Sequence, residues 1–105
     1  MTAYAIVDVT VHDIADFLMY QRKLAPLLRA AGARYLARGG EFRVYEGNYQ
    51  PGRLFVVEFP SLTAIDAFFS GAAYQSLQTE RDACCSLQIL AVQGLDPAAT
   101  RRASH

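Results

Sequence analysis

The chain has 105 residues, 52% hydrophobic and 19% charged, which is the size and apolar content of one globular domain with one core. Ten basic and ten acidic side chains cancel, so no net field draws in nucleic acid or an anionic membrane, and neither is an expected partner. The opening residues lead straight into an alternating pattern without the basic flank and apolar core of a signal peptide, and no apolar run approaches roughly 18 residues, so the sequence reads as a soluble cytoplasmic protein.

Ala3 to Val11 alternate, with Ala5, Val7, Val9 and Val11 on one side and Tyr4, Ile6, Asp8 and Thr10 on the other. This is a strand pattern, apolar on both faces except at Asp8. Asp13 suits a helix N-cap and Asp16 the positive end of the dipole. The helix they open runs to about Ala31 and stops at Gly32, with Ile14, Phe17, Leu18, Leu24, Leu28 and Ala31 spaced as its buried stripe. Pro26 is expected to bend it. Gln21 interrupts the stripe, either as an amide at the edge of the apolar face or as one facing a ligand.

Ala33 to Arg38 reads as a second strand. Gly39-Gly40 then permits a bulge before Glu41 to Glu46 resume extended structure, and Gly47 to Gly52 form a turn by composition. The chain re-enters the sheet at Arg53 to Pro60, its most β-prone run, as the return strand of a hairpin. Glu58 is the lone acid within that run. Ser61 caps a short helix through Phe69, Gly71 breaks it, and a second piece from about Ala73 to Asp82 sets Tyr74, Leu77, Gln78 and Arg81 along one side. Ser86 to Gln93 alternates as the last strand. Residues 1–95 are expected to form the domain and 96–105 a disordered tail.

The order β, α, β, β, α, β with short connections gives an α+β fold, the ferredoxin-like split arrangement of a four-stranded antiparallel sheet with the first and third strands central. Two helical segments cover one face of such a sheet, yet both faces of the central strands carry apolar residues. A symmetric second copy is the simplest cover for the other face, so a homodimer is expected.

An ordered set of residues carries a resemblance. It comprises Asp8, Asp13, Tyr20, Gly32-Ala33-Arg34-Tyr35-Leu36, Arg38-Gly39-Gly40, Glu46-Gly47, Pro51, Arg53, Glu58-Phe59-Pro60-Ser61, Tyr74-Gln75 and Arg81. Over residues 3 to 95 the chain resembles the family called domain of unknown function 1330, in the dimeric α+β barrel superfamily. The resemblance implies protomers paired sheet to sheet, and a cleft between sheet and helices of the kind that often holds small organic molecules. It implies no known reaction. The chain departs from the family at Tyr49 and at Phe68-Phe69, where Trp is common, and at Gly71-Ala72-Ala73-Tyr74, which replaces Ser-Pro-Glu-Tyr.

Asp8 and Glu58, each the lone acid on an apolar face of neighbouring strands, are the candidate catalytic pair. On a shared, poorly solvated face one of them would hold a proton and serve as acid or base. The structural alternative has each accept hydrogen bonds from Arg or Tyr and fix the dimer register. Arg38 and Arg81 are candidate partners for those carboxylates or for a ligand's acid group. Tyr20, Tyr49 and Tyr74 are candidate ligand-binding aromatics with phenolic donors. His12 stands at a strand-to-helix junction and His105 at the terminus, so no cluster has metal-ligand spacing, and neither metal nor cofactor is expected. Adjacent Cys84 and Cys85 suit burial better than a disulfide. Two functions stay open: a binder of, or cofactor-independent enzyme on, a small apolar, aromatic or anionic compound, and a non-catalytic dimerisation or stress-associated module.

Overall fold

The structure, a computed structural model, describes residues 1–95. The expected disordered tail at 96–105, with His105, lies outside the described residues. Four strands, β1 (Ala3–Val11), β2 (Arg34–Arg38), β3 (Arg53–Phe59) and β4 (Cys85–Gln93), form one antiparallel sheet in the order β2-β3-β1-β4. The first and third strands are central, as the connection order requires. Helix α1 (Ile14–Ala30) joins β1 to β2, and α2 (Leu62–Ser70), α3 (Ala72–Gln75) and α4 (Gln78–Cys84) join β3 to β4.

Local chemistry sets the helix ends. The Asp13 carboxylate accepts from the Asp16 N–H at 3.0 Å and the Ser61 hydroxyl from the Ala64 N–H at 3.0 Å, each satisfying a donor left free in a first helical turn. Gly32 takes φ +75°, which ends α1 with a backbone that β-carbon residues avoid. The helix continues through Pro26 to Ala30.

Period-two alternation decides the faces. Ala3, Ala5, Val9, Phe55, Val57 and Phe59 are buried towards the helices. Ala3 and Ala5 present only methyl groups, and Phe59, cross-strand from Ala3, fills the space they leave against Phe68 at 5.5 Å and Phe69 at 6.3 Å between ring centroids. The other set, Tyr4, Ile6, Asp8, Leu54, Val56, Glu58, Leu90 and Val92, shares the opposite face in register. No helix lies on that face among the described residues.

Four expectations need correction. Glu41 to Glu46 form no strand, because residues 39–52 run beyond the sheet as an exposed arm with no strand beside them. The bulge falls at Leu36, between Tyr35 and Ala37, ahead of Gly39-Gly40. The piece foreseen from Ala73 to Asp82 divides at Ser76-Leu77 into α3 and α4. Ile14 and Leu18 are each 48% exposed. Phe17, Tyr20, Leu24 and Leu28 already occupy the inner face of α1, Leu18 lies about 100° around from Phe17, and Ile14 is in the first turn. None of the described helices is long and apolar enough to cross a membrane.

Candidate functional site

Between the helices and the sheet lies a narrow cavity of about 60 Å³. Its floor is Val7, Val9, Phe55, Val57 and Ile89, and its roof includes Phe17, Leu24, Phe68 and Phe69. The lining contains no Asp, Glu or His among the described residues, and Tyr20, Gln21, Tyr35 and Tyr74 are its only side chains that carry a polar atom. The residue that broke the helical stripe therefore faces this space.

Tyr20 is 4% exposed and Tyr74 6%. Burial, then the neighbouring Tyr74 phenol, pushes the Tyr20 pKa well above its ordinary value, so Tyr20 is a neutral hydrogen-bond donor rather than a base. Arg81 Nη1 donates to the Tyr74 hydroxyl at 3.0 Å, and the guanidinium carbon lies 5.8 Å from the Tyr74 ring centroid. The sequence set Tyr74 and Arg81 along one side of a single helix; they meet although that helix divides between them into α3 and α4. Arg81 also pairs with Asp82. Across the cavity, Arg38 stands 5.0 Å over the ring of Tyr35. Burial is likewise the main cause that raises the Tyr35 phenol.

The remaining candidates lie elsewhere. Asp8 accepts from the Gly52 N–H at 2.8 Å and from the Tyr49 hydroxyl. It thereby holds the 47–52 turn against β1, and Tyr49, 54% exposed, belongs to the arm and not to the cavity. Glu58 pairs with Arg34, which sits opposite it on β2. Neither Arg38 nor Arg81 reaches either carboxylate among the described residues. Arg34 was legible only in register, since nothing in the sequence fixes which β2 residue faces Glu58.

Asp8 and Glu58 do share a face, yet they are no dyad. Asp8 is opposite Leu54 and Glu58 opposite Tyr4, a separation of four residues or roughly 13 Å along the strands. The intervening pair is Ile6 and Val56. The sheet itself also separates both acids from the cavity, because they point to the open face. Proton sharing between them and direct contact with a cavity ligand within one protomer are both excluded by this geometry.

Cys84 and Cys85 are free and buried at the α4–β4 junction, with both thiols directed at the Arg81 carbonyl, 3.4 Å away. Burial foremost, with Cys84 beside it, pushes the Cys85 thiol up to about 12. His12 Nε2 lies 2.9 Å from the Ser86 hydroxyl, tying the start of α1 to β4.

A ferredoxin-like α+β protomer, with helices and a small apolar cavity on one face and an uncovered apolar sheet on the other, is the class these observations define. The chain belongs to the family described as domain of unknown function (DUF1330), whose model matches residues 2–95. Among solved structures it is similar to RPA0582, a protein of unknown function from Rhodopseudomonas palustris (15% identity, TM-score 0.70, 91% of this chain and 84% of that one). A dimeric ferredoxin-like protein of unknown function from Jannaschia sp. CCS1 matches at 15% identity and TM-score 0.64, over 90% of this chain and 100% of that one. SnoaB, a cofactor-independent oxygenase from Streptomyces nogalater, matches at 13% identity and TM-score 0.59, over 90% and 94%. At these identities the likeness is one of fold alone. Curated proteins give no significant match.

Proposed function

We propose that this protein is a homodimeric binder of small apolar or aromatic compounds, with the ligand lodged between the sheet and helices α1, α2 and α3. The observation that carries this reading is the cavity itself: an almost wholly apolar space within a small core, with Tyr20, Tyr74 and Gln21 among its lining. The dimer reading rests on the open face, where Leu90 is 57% exposed and Val92 48%, and on the dimeric description of the Jannaschia relative. On this reading Asp8 and Glu58 orient the open face and its arm, and they are not the acid and base of a reaction in the cavity.

Methyl NMR during titration with toluene tests the site. The expected shifts cluster at Leu24, Leu28, Val57, Leu87 and Ile89, on the helix side of the sheet. Shifts confined to Ile6, Leu54, Val56 and Leu90 would place the ligand on the open face and refute the assignment. Sedimentation at micromolar concentration tests assembly, with a clean monomer as the opposing result. Glu58→Gln should weaken the dimer while leaving toluene binding unchanged, since the sheet lies between them.

A further inference from the structure

Two of the cavity's phenol-bearing side chains, Tyr20 and Tyr74, share the end backed by a cation, whereas Tyr35 lies on β2. Tyr20 and Gln21 are consecutive on α1 and line the same space as Tyr74, and Arg81 stands immediately behind Tyr74. Two phenols carry two protons. At most one can serve a bond between them, and the Tyr74 oxygen already accepts from Arg81 at 3.0 Å. Whichever way the hydroxyls turn, at least one O–H is left to donate to a third partner. The Arg81 side chain is 17% exposed, whereas its counter-ion Asp82 is 61% exposed and largely in water, so the positive charge sits nearer the cavity than the negative one. A donor end with a cation behind it matches an oxygen bearing negative charge.

Size narrows the class further. A space of about 60 Å³ is well below the roughly 150 Å³ that holds benzene in an engineered cavity. A single ring therefore needs Phe68 or Phe69, both half-buried on α2, to swing aside, and fused ring systems would need the helix itself to move.

We propose that Tyr20 and Tyr74, backed by Arg81, form an oxyanion-recognising end of the cavity that selects single-ring aromatic ligands carrying an acidic oxygen, bound as the phenolate. The proposal deepens the cavity reading above and rests on it. Tyr20 and Tyr74 are the binding groups, and Arg81 is a positioning residue that acts through Tyr74.

The test compares 4-nitrophenol, whose absorbance reports its ionisation, with nitrobenzene, which has the ring but no acidic oxygen. At neutral pH the wild-type protein should raise the nitrophenolate absorbance on binding and prefer 4-nitrophenol by about tenfold or more. The double variant Tyr20→Phe/Tyr74→Phe keeps both rings and should lose that preference while still binding nitrobenzene. Arg81→Gln provides an independent check, with a raised apparent pKa of the bound nitrophenol. Equal affinities in the wild type, a preference that survives the double variant, or an unmoved pKa in Arg81→Gln would overturn the proposal and leave the cavity reading standing. If neither compound perturbs the helix-side methyl groups, the cavity reading falls and takes this proposal with it.

Discussion

Filling the cavity sets stability against binding and gives each a sign. Val57 lies on central β3, 5% exposed, cross-strand from Ala5 and Tyr35, with its side chain towards the helices. Val57→Ile adds one methylene to the cavity wall. One methylene buried against that wall contributes about 0.8 kcal/mol. For a domain of this size that gain is a rise of about 3 to 6 °C in melting temperature. The same methylene occupies volume a ligand ring would use, so toluene affinity should fall as stability rises, the trade expected where a site is kept open for function. Thermal unfolding by circular dichroism and the toluene titration followed by methyl NMR measure the two effects on one variant. A lowered melting temperature combined with unchanged toluene affinity would refute the reasoning, because it would mean that the wall is already fully packed at Val57 and that the ligand sits elsewhere.

Asp8→Ala removes the acceptor for the Gly52 N–H and the Tyr49 hydroxyl, so amide exchange at Gly52 should speed up by a few-fold to about tenfold with no loss of toluene affinity. Loss of ligand binding with unaltered exchange would restore Asp8 to the site. Alkaline stability follows from the buried acids. Cys85 is held protonated in the fold, from an ordinary 9.0 up to about 12, so the folded state binds the proton more tightly than the unfolded one. Its contribution is complete below pH 9 and is lost as pH rises towards 12. Tyr20, also raised, acts in the same direction at higher pH still. Denaturant midpoints that stay level from pH 8 to 11 would contradict the burial of that thiol.

Where local rules and period agree, the sequence was a sufficient guide. Asp13 and Ser61 cap the helices they precede, Gly32 ends α1, and alternation assigns Phe55, Val57 and Phe59 to one face and Leu54, Val56 and Glu58 to the other. Whether Asp8 and Glu58 share a face was left open by the sequence, and the strand register puts them on one. Alternation alone could not set their separation, because register depends on how the 39–52 arm delivers β3, and a shift of four residues keeps every side chain on the same face. Glu41 to Glu46 misled for a related reason. An extended sequence becomes a strand only beside another, and β3 pairs with β2 no further than Gly39, whose N–H reaches the Leu54 carbonyl at 2.8 Å. The cavity was the least legible feature. Its phenols come from α1, β2 and α3, and only packing reveals that Tyr20, Gln21, Tyr35 and Tyr74 line one space.

The two faces of the sheet divide the chemistry. Neutral phenols and an arginine serve the helix side, where a bare carboxylate would be costly to bury and none lines the cavity among the described residues. Carboxylates serve the open side, where each remains partly hydrated and has a partner: Glu58 has Arg34, and Asp8 has the turn that starts β3. A Cβ at Gly52 would come within 2.3 Å of the Val9 carbonyl oxygen, so this turn is pressed onto β1. The arm that leads into that turn carries Phe42, Val44 and Tyr45, at 40%, 46% and 86% exposure. These apolar side chains are left uncovered by the rest of the described chain. Asp8 fixes the root of this arm through the Gly52 N–H and the Tyr49 hydroxyl, on the face of the sheet opposite the cavity.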